Sequence, residues 1–370
     1  MEAPGRVTIS DWSSTTRRPT DARRAPDMAD RITIADVAAA AGVSKSAASR
    51  ALLAQPGVSD DAKQHIEAVA ARLGYVKDIR AQALKAKNTN IVGVFVRSVR
   101  LSFYGEMIAH LQEHLEEAGF ALAVGTASAG TTTADALAGL LGLRPEALVI
   151  ASGRIPEPQI VPVARRLPTV LMGRSSAAPS IGSVCDDGRG AEVLAGLITH
   201  AGHRVVGVLH VAAEHSTTLY QRSTRMQRAL AAAGVDTVTI PRAADGDHPD
   251  PGALARCLDH VSVIMCPNDP TLLSTWEQLT ALGIRVPEDI ALTGYDGIGQ
   301  LASPVLGLTT WRQPIEEITA ATARQVLRRL TGESAPQHTE LTGSLIRGRT
   351  LPTAPWTSDS VGVTPRPSQR

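Results

Sequence analysis

From Ile91 to the region of Gly294 the chain alternates short, wholly apolar runs with stretches whose apolar residues recur at helical spacing. Ile91 to Val96 reads as a continuous apolar strand. It is followed by a helix from about Phe103 to Ala118, a strand near Phe120 to Val124, a helix near Ala134 to Leu141 and a strand at Ala147 to Ala151. The pattern resumes with a strand at Thr169 to Met172, a helix from Gly190 to Ala201, a strand at Arg204 to His210 and a helix across Arg222 to Ala233. Strands at Val261 to Cys266 and Ile290 to Gly294 complete it. Strands that are apolar throughout are buried on both faces, and helices between them make the sheet parallel and doubly wound. The region is too long for one such sheet, so two similar lobes are expected, with any ligand at the strand ends between them.

Ahead of this α/β region the pattern is different. Thr33 and Asp36 have the spacing of a capping box, and Val37, Ala38 and Ala41 give the helix behind it an apolar side that ends at Gly42. Ser44 then caps a second helix. Ala48, Ala51 and Leu52 lie on its inner face, while Lys45, Ser46, Ser49 and Arg50 form one polar, cationic face. Helix, glycine turn and helix with an exposed polar face is the arrangement of a helix-turn-helix that enters a DNA major groove. The competing interpretation is an ordinary two-helix hairpin. After the Pro56-Gly57 turn, Ser59 caps a third helix in which Ile66, Val69, Ala70 and Leu73 keep helical spacing up to Gly74.

The 370 residues exceed what one core organises, so two or three domains are expected. Net charge is +1, which argues against binding nucleic acid through overall charge. Between Ala29 and Lys87, however, nine Lys and Arg face six Asp and Glu, so the cationic excess sits with the helix-turn-helix. Cys185, Cys257 and Cys266 have neither CxxC nor metal-ligand spacing, so no disulfide framework, metal or cofactor is implied and a reducing cytoplasm fits. No apolar run approaches the roughly twenty residues of a membrane span, and the N-terminus lacks a signal-peptide core. No GxGxxG follows a strand, and neither a Walker loop nor a catalytic triad is suggested, so no catalytic residues are expected. Asp186 and Asp187, adjacent beside Gly188, suit a turn better than acid and base catalysis.

Several motifs together resemble the LacI/GalR family of transcriptional regulators. In the headpiece they are Thr33-Ile34-Ala35-Asp36-Val37-Ala38, Ala41-Gly42-Val43-Ser44, Ser49-Arg50, Gly57-Val58-Ser59 and Leu73-Gly74-Tyr75. In the core they are Leu197-Ile198 with Gly202-His203-Arg204, Asn268-Asp269, Gly283-Ile284 with Val286-Pro287-Glu288-Asp289-Ile290, Gly294-Tyr295-Asp296 and Leu308-Thr309-Thr310. The resemblance covers about residues 31 to 350 and implies the following layout. A tail (1–30) precedes an all-α headpiece (31–76) and a hinge helix with linker (77–89). Two doubly wound lobes of periplasmic-binding-protein type follow, one from 90–185 and 313–335, the other from 186–312 and 336–350, before a second tail (351–370).

It further implies a cytoplasmic homodimer on a near-palindromic double-stranded operator, switched by a small effector such as a sugar or related metabolite. Mapped by motif, Lys45, Ser46 and Arg50 take base-reading positions, with Ser49 on the same face. Thr33, Ile34 and Ser44 take phosphate positions. Arg50 has the fork to pair with a guanine edge, whereas Lys45 suits either a base or a phosphate. Leu84 stands at the position of the hinge leucine that wedges into the minor groove, with Lys85 behind it.

For the effector, the family's ligand-binding arginine maps to Arg222, at the opening of the helix after the Arg204 to His210 strand. Asn268 and Asp296 follow apolar strands, where they either meet ligand hydroxyls or cap a helix and fix a turn. His248 falls where relatives often carry an aromatic ring, and Phe103 and Tyr104 either line the cleft or seal its base. Arg225 replaces a common glycine, leaving its place open. Lys77-Asp78 at the hinge and Ala47-Ala48 in the reader helix also depart from the family pattern. The alternative function is a solute-binding protein of the same core fold, which would need an export signal and no headpiece.

Overall fold

The computed structural model describes residues 32–53, 55–75, 88–128, 130–244, 246–333 and 335–352. The expected tails, apart from Leu351 and Pro352, and the hinge and linker up to Lys87, with Leu84 and Lys85, lie outside the described residues. The chain divides into two compact units near residue 85.

The smaller unit holds α1 (Ile34–Ala40), α2 (Lys45–Leu52) and α3 (Asp60–Leu73). The Thr33 side chain accepts from the Asp36 amide at 3.4 Å and Asp36 accepts from the Thr33 amide at 2.7 Å, closing the capping box. Gly42, at φ 67°, supplies the left-handed turn that a side chain would strain. Ser44 then accepts from the Ala47 amide at 3.1 Å to start α2. Ser59 and the left-handed Gly74 bound α3 in the same manner. Val37, Ala48, Leu52, Ile66 and Val69 bury their side chains together as the centre of this small core.

The larger unit contains two six-stranded sheets. The first runs β11-β5-β4-β3-β1-β2, where β1 is Ile91–Val96, β2 Ala121–Thr126, β3 Ala147–Ala151, β4 Thr169–Met172, β5 Gly182–Asp186 and β11 His338–Leu341. Every pairing in it is parallel. Successive strand residues face opposite sides. Val92, Val94 and Val96 pack with the helices Ser102–Glu117 and Ile315–Leu330, while Phe95, Leu148 and Ile150 pack on the other side with residues of Thr133–Gly142 and Glu157–Ala164.

The second sheet runs β12-β10-β9-β8-β6-β7, with β6 Val205–His210, β7 Asp236–Pro241, β8 Val263–Met265, β9 Ala291–Asp296, β10 Thr310–Arg312 and β12 Ser344–Ile346. It is parallel except where β12 meets β10. Val206, Val208 and Met265 meet the helices Gly190–His200 and Thr217–Ala232, and Ile264 and Leu292 face the opposite cluster. Among the described residues no helix is long and apolar enough to cross a membrane.

Two details differ from the sequence reading. β11 pairs with β5 and so lies on the first sheet, although 336–350 was expected in the second lobe. The chain crosses back only at Thr342-Gly343, because β11 takes the open edge of β5 before β12 takes that of β10. Arg222 does not open its helix. Ser216 caps the helix at Thr217, accepting from the Leu219 amide at 3.3 Å, which places Arg222 in the second turn.

Candidate functional site

In the smaller unit, Lys45, Ser46 and Arg50 are exposed along α2, Ser49 is half-buried, and Ala48, Ala51 and Leu52 hold the opposite side to the core. Thr33 and Ser44 are exposed at the starts of α1 and α2, and Ile34 is half-buried against the core cluster. Arg50 reaches across the following turn. A Cβ at Gly57 would lie 3.1 Å from its Nη1, and Gly57 sits at φ 98°. The turn therefore leaves room for the guanidinium without engaging it. The face is short, cationic and rich in donors, the character needed against base edges and phosphates.

In the larger unit, Phe103, Tyr104, Arg222, Asn268 and Asp296 all line one cavity of about 50 Å³ between the lobes. Phe103 and Tyr104 meet edge to face, 5.3 Å between ring centroids, and burial pushes the Tyr104 hydroxyl up to about 12. Asn268 caps a helix and also lines the cavity. Its side-chain oxygen accepts from the Thr271 amide at 2.9 Å and caps the helix Asp269–Ala281, leaving its amide nitrogen for the cavity. His248 is not among the cavity's residues. Its Nδ1 lies 3.1 Å from the Pro249 carbonyl and 3.3 Å from Gln278 Nε2, and the neighbouring Asp247 faces the first lobe instead.

The floor of the cavity is an ion pair. Arg222 Nη1 donates to Asp296 Oδ1 at 3.0 Å and to the Pro267 carbonyl at 2.7 Å, with its guanidinium 3.9 Å from the centre of the Tyr295 ring. Gln313 Nε2 donates to the same Asp296 oxygen at 2.7 Å. Burial raises the Asp296 carboxyl in spite of Arg222. Burial would likewise lower Arg222, but Asp296, Tyr295 and Asp186 outweigh it and hold the guanidinium raised. Asp296 also sits at φ 114°, a conformation that side chains rarely adopt. Such strain survives only where the surroundings over-determine it, as they do at ligand sites.

Asp269 holds this strained turn from behind. Fully buried, it accepts from the Gly297 amide at 2.7 Å and from the Thr310 hydroxyl at 2.6 Å. Burial, and then the charge of Asp296, push its carboxyl from 3.8 to about 8, against those two hydrogen bonds. The folded chain therefore keeps a proton that the unfolded chain releases. That contribution to stability is complete below pH 3.8 and is progressively lost as pH rises to about 8. Denaturant melts should show stability falling over this window by an amount on the order of a few kcal/mol, and Asp269→Asn should flatten the profile. A profile equally steep in both proteins would contradict the assignment.

The structure brings in residues that the sequence reading passed over. Arg97, directly after β1, donates through Nη2 to both oxygens of Asp247, at 2.7 and 2.6 Å, across the two lobes. Arg242 Nε holds the same carboxylate at 3.1 Å. Burial would raise Asp247, but these two guanidinium groups keep it below the usual carboxylate range. Gly153, after β3, accepts from the Thr217 amide at 2.9 Å, a second tie between lobes. The rule that selected Asn268 and Asp296, a polar residue at the end of an apolar strand, also selects Arg97; nothing in the sequence marks Gly153. Arg225 lies apart from this cavity, bonded to Glu192 at 2.8 Å and to the Asp187 carbonyl. Asp186 and Asp187 do form turns, accepting from the Gly188 and Arg189 amides at 2.8 and 2.9 Å.

With this geometry in view, two family descriptions match the chain: bacterial regulatory proteins of the lacI family at residues 33–78, and a periplasmic binding protein-like domain at residues 195–351. An HTH-type transcriptional regulator of Mycobacterium tuberculosis is 29% identical over 86% of this chain and 97% of its own length. The HTH-type transcriptional repressor PurR of Photobacterium profundum is 29% identical over 76% of this chain and 87% of its own. Among solved structures, the lac repressor dimer bound to operator and an anti-inducer superposes with a TM-score of 0.72 at 22% identity. That match covers 87% of this chain and 99% of the other. The transcriptional regulator CelR in complex with cellobiose gives 0.59 at 25% identity, covering 86% and 100%. The chain thus joins a lacI-type regulatory domain at residues 33–78 to a periplasmic binding protein-like domain at residues 195–351, the arrangement of the transcriptional regulators that it is similar to.

Proposed function

We propose that the chain represses transcription in the cytoplasm as a homodimer on a near-palindromic operator. In this reading α2 reads base edges through Arg50, Lys45 and Ser46, while Thr33, Ile34 and Ser44 hold the phosphate backbone, and Ser49 completes the face. A small polar effector, a sugar or related metabolite, binds between the lobes and sets operator affinity. The observation that carries the effector site is convergence. Five residues drawn from four separate stretches, Phe103, Tyr104, Arg222, Asn268 and Asp296, meet at one cavity whose floor is a strained, buried ion pair. An operator-bound dimer and a cellobiose complex among the chain's structural neighbours support the same arrangement.

Lobe closure is the physical lever. A ligand that prefers one lobe arrangement changes operator affinity only by its differential affinity for the two states. The Arg97–Asp247 pair and the Gly153–Thr217 hydrogen bond are ties that opening breaks. A solute-binding protein would share the core but not the lacI-type headpiece matched at 33–78. A gel-shift titration on the promoter of the chain's own gene tests the reading. A shift that survives excess unrelated DNA is expected, and none would overturn it.

A further inference from the structure

Above the cavity floor, Arg97, Arg100 and Arg154 of the first lobe surround an open chamber of about 490 Å³, whose wall is completed by Asp247 of the second. Arg242 approaches the same carboxylate from its own lobe. Three guanidinium groups and a single carboxylate thus line this chamber among the described residues, and Arg97, 7% exposed, already binds both carboxylate oxygens. Arg100 and Arg154 have no carboxylate partner among the described residues. The crowding shows on Arg154, whose guanidinium is lowered by partial loss of hydration and then by the like charge of Arg97, with Asp247 opposing.

Guanidinium groups only donate, whereas a neutral sugar hydroxyl is matched by a partner that both donates and accepts. Here the acceptors are Asp247 and the hydroxyls of Ser98 and Ser128. Gathering these cations beside one anion makes the local potential positive, which favours the arrival of a further anion. Asp247, bridged by arginines of both lobes, occupies the position that such an anion would take.

We infer that the effector carries an anionic group, a phosphate ester or a carboxylate, which docks against Arg97 and Arg154 in competition with the Asp247 side chain. This rests on the regulator reading above and specifies the chemistry of its ligand. Binding exchanges a direct ion pair between the lobes for one bridged by the ligand, so the charge that is recognised is also the charge that resets the lobes.

Calorimetry on the full chain with inorganic phosphate, glucose 6-phosphate, succinate and glucose tests the inference. Glucose 6-phosphate or succinate should bind at least about tenfold more tightly than glucose, and the better of the two identifies the anion as phosphate or carboxylate. Arg154 is exposed, so Arg154→Gln should preserve the melting temperature while weakening the preferred anion about tenfold. Asp247→Asn, which removes the competing charge, should tighten it. Glucose binding as tightly as both anions, no saturable anion binding, or equal anion affinity in Arg154→Gln would each overturn the inference. A gel shift on the same preparation separates the two readings. Operator binding without anion binding defeats this inference alone, and anion binding without operator binding defeats the regulator reading.

Discussion

Replacing Arg50 with alanine is expected to cost about 1–3 kcal/mol of discrimination between the operator and unrelated DNA, roughly five- to hundredfold in relative affinity. The expectation follows from the placement of the side chain. It is exposed on the face of α2 opposite Ala48, Ala51 and Leu52, so its removal leaves the packing of the three helices untouched. Surface changes of this kind alter stability by no more than about 0.5 kcal/mol. Competition titrations with operator and scrambled DNA measure the effect, and a thermal melt checks the fold. An equal loss on every sequence would assign Arg50 to a phosphate instead of a base edge.

The sequence revealed elements in proportion to how strongly their burial is written into composition. β3 and β4 are apolar at every position except Thr169 and buried at every position, and their expected bounds match the structure. The helix Glu157–Ala164 carries no comparable signal, because Pro156, Pro158 and Pro162 disfavour a helix locally; in the structure Pro162 lies inside it. β11 and β12 are short, and none of their residues is fully buried, so they carry neither apolar continuity nor a clear alternation. Pairing with β5 and β10, which no local pattern encodes, makes them strands.

The candidate site divides along similar lines. Asn268 and Asp296 were visible because apolar strands precede them, and Arg222 because its motif surroundings are recognisable. Its depth within the helix was not, since the Thr217-Thr218-Leu219 turn lacks apolar periodicity and depends on the Ser216 cap. His248 was selected by position, yet its ring turns to Pro249 and Gln278, while Asp247 one residue earlier spans the lobes. A loop does not fix which of two neighbours faces a cleft; here the two arginines that hold Asp247 do.

The second large effect is expected at Gly153. A Cβ there would lie 2.6 Å from Ser216 Oγ, 2.9 Å from Thr218 Oγ1 and 3.1 Å from the Thr218 amide. None of these is the far end of a flexible side chain. Ser216 is buried and caps a helix, and the third atom is backbone. The methyl group of Gly153→Ala is therefore accommodated by retreat of the second lobe. Overpacking of this kind costs about 1–3 kcal/mol, borne by the closed arrangement alone. The balance between lobe arrangements then shifts toward the open one by roughly five- to hundredfold.

That substitution tests the central claim, that the lobes of one compact unit control the DNA reader of the other. Operator affinity of the wild type and of Gly153→Ala should be measured by fluorescence anisotropy without added effector, with small-angle scattering on the same samples to read lobe opening. Scattering is expected to detect opening, and operator affinity to change by about tenfold, although Gly153 belongs to a unit that contains none of the described reader residues. Opened lobes with operator affinity unchanged would contradict that claim.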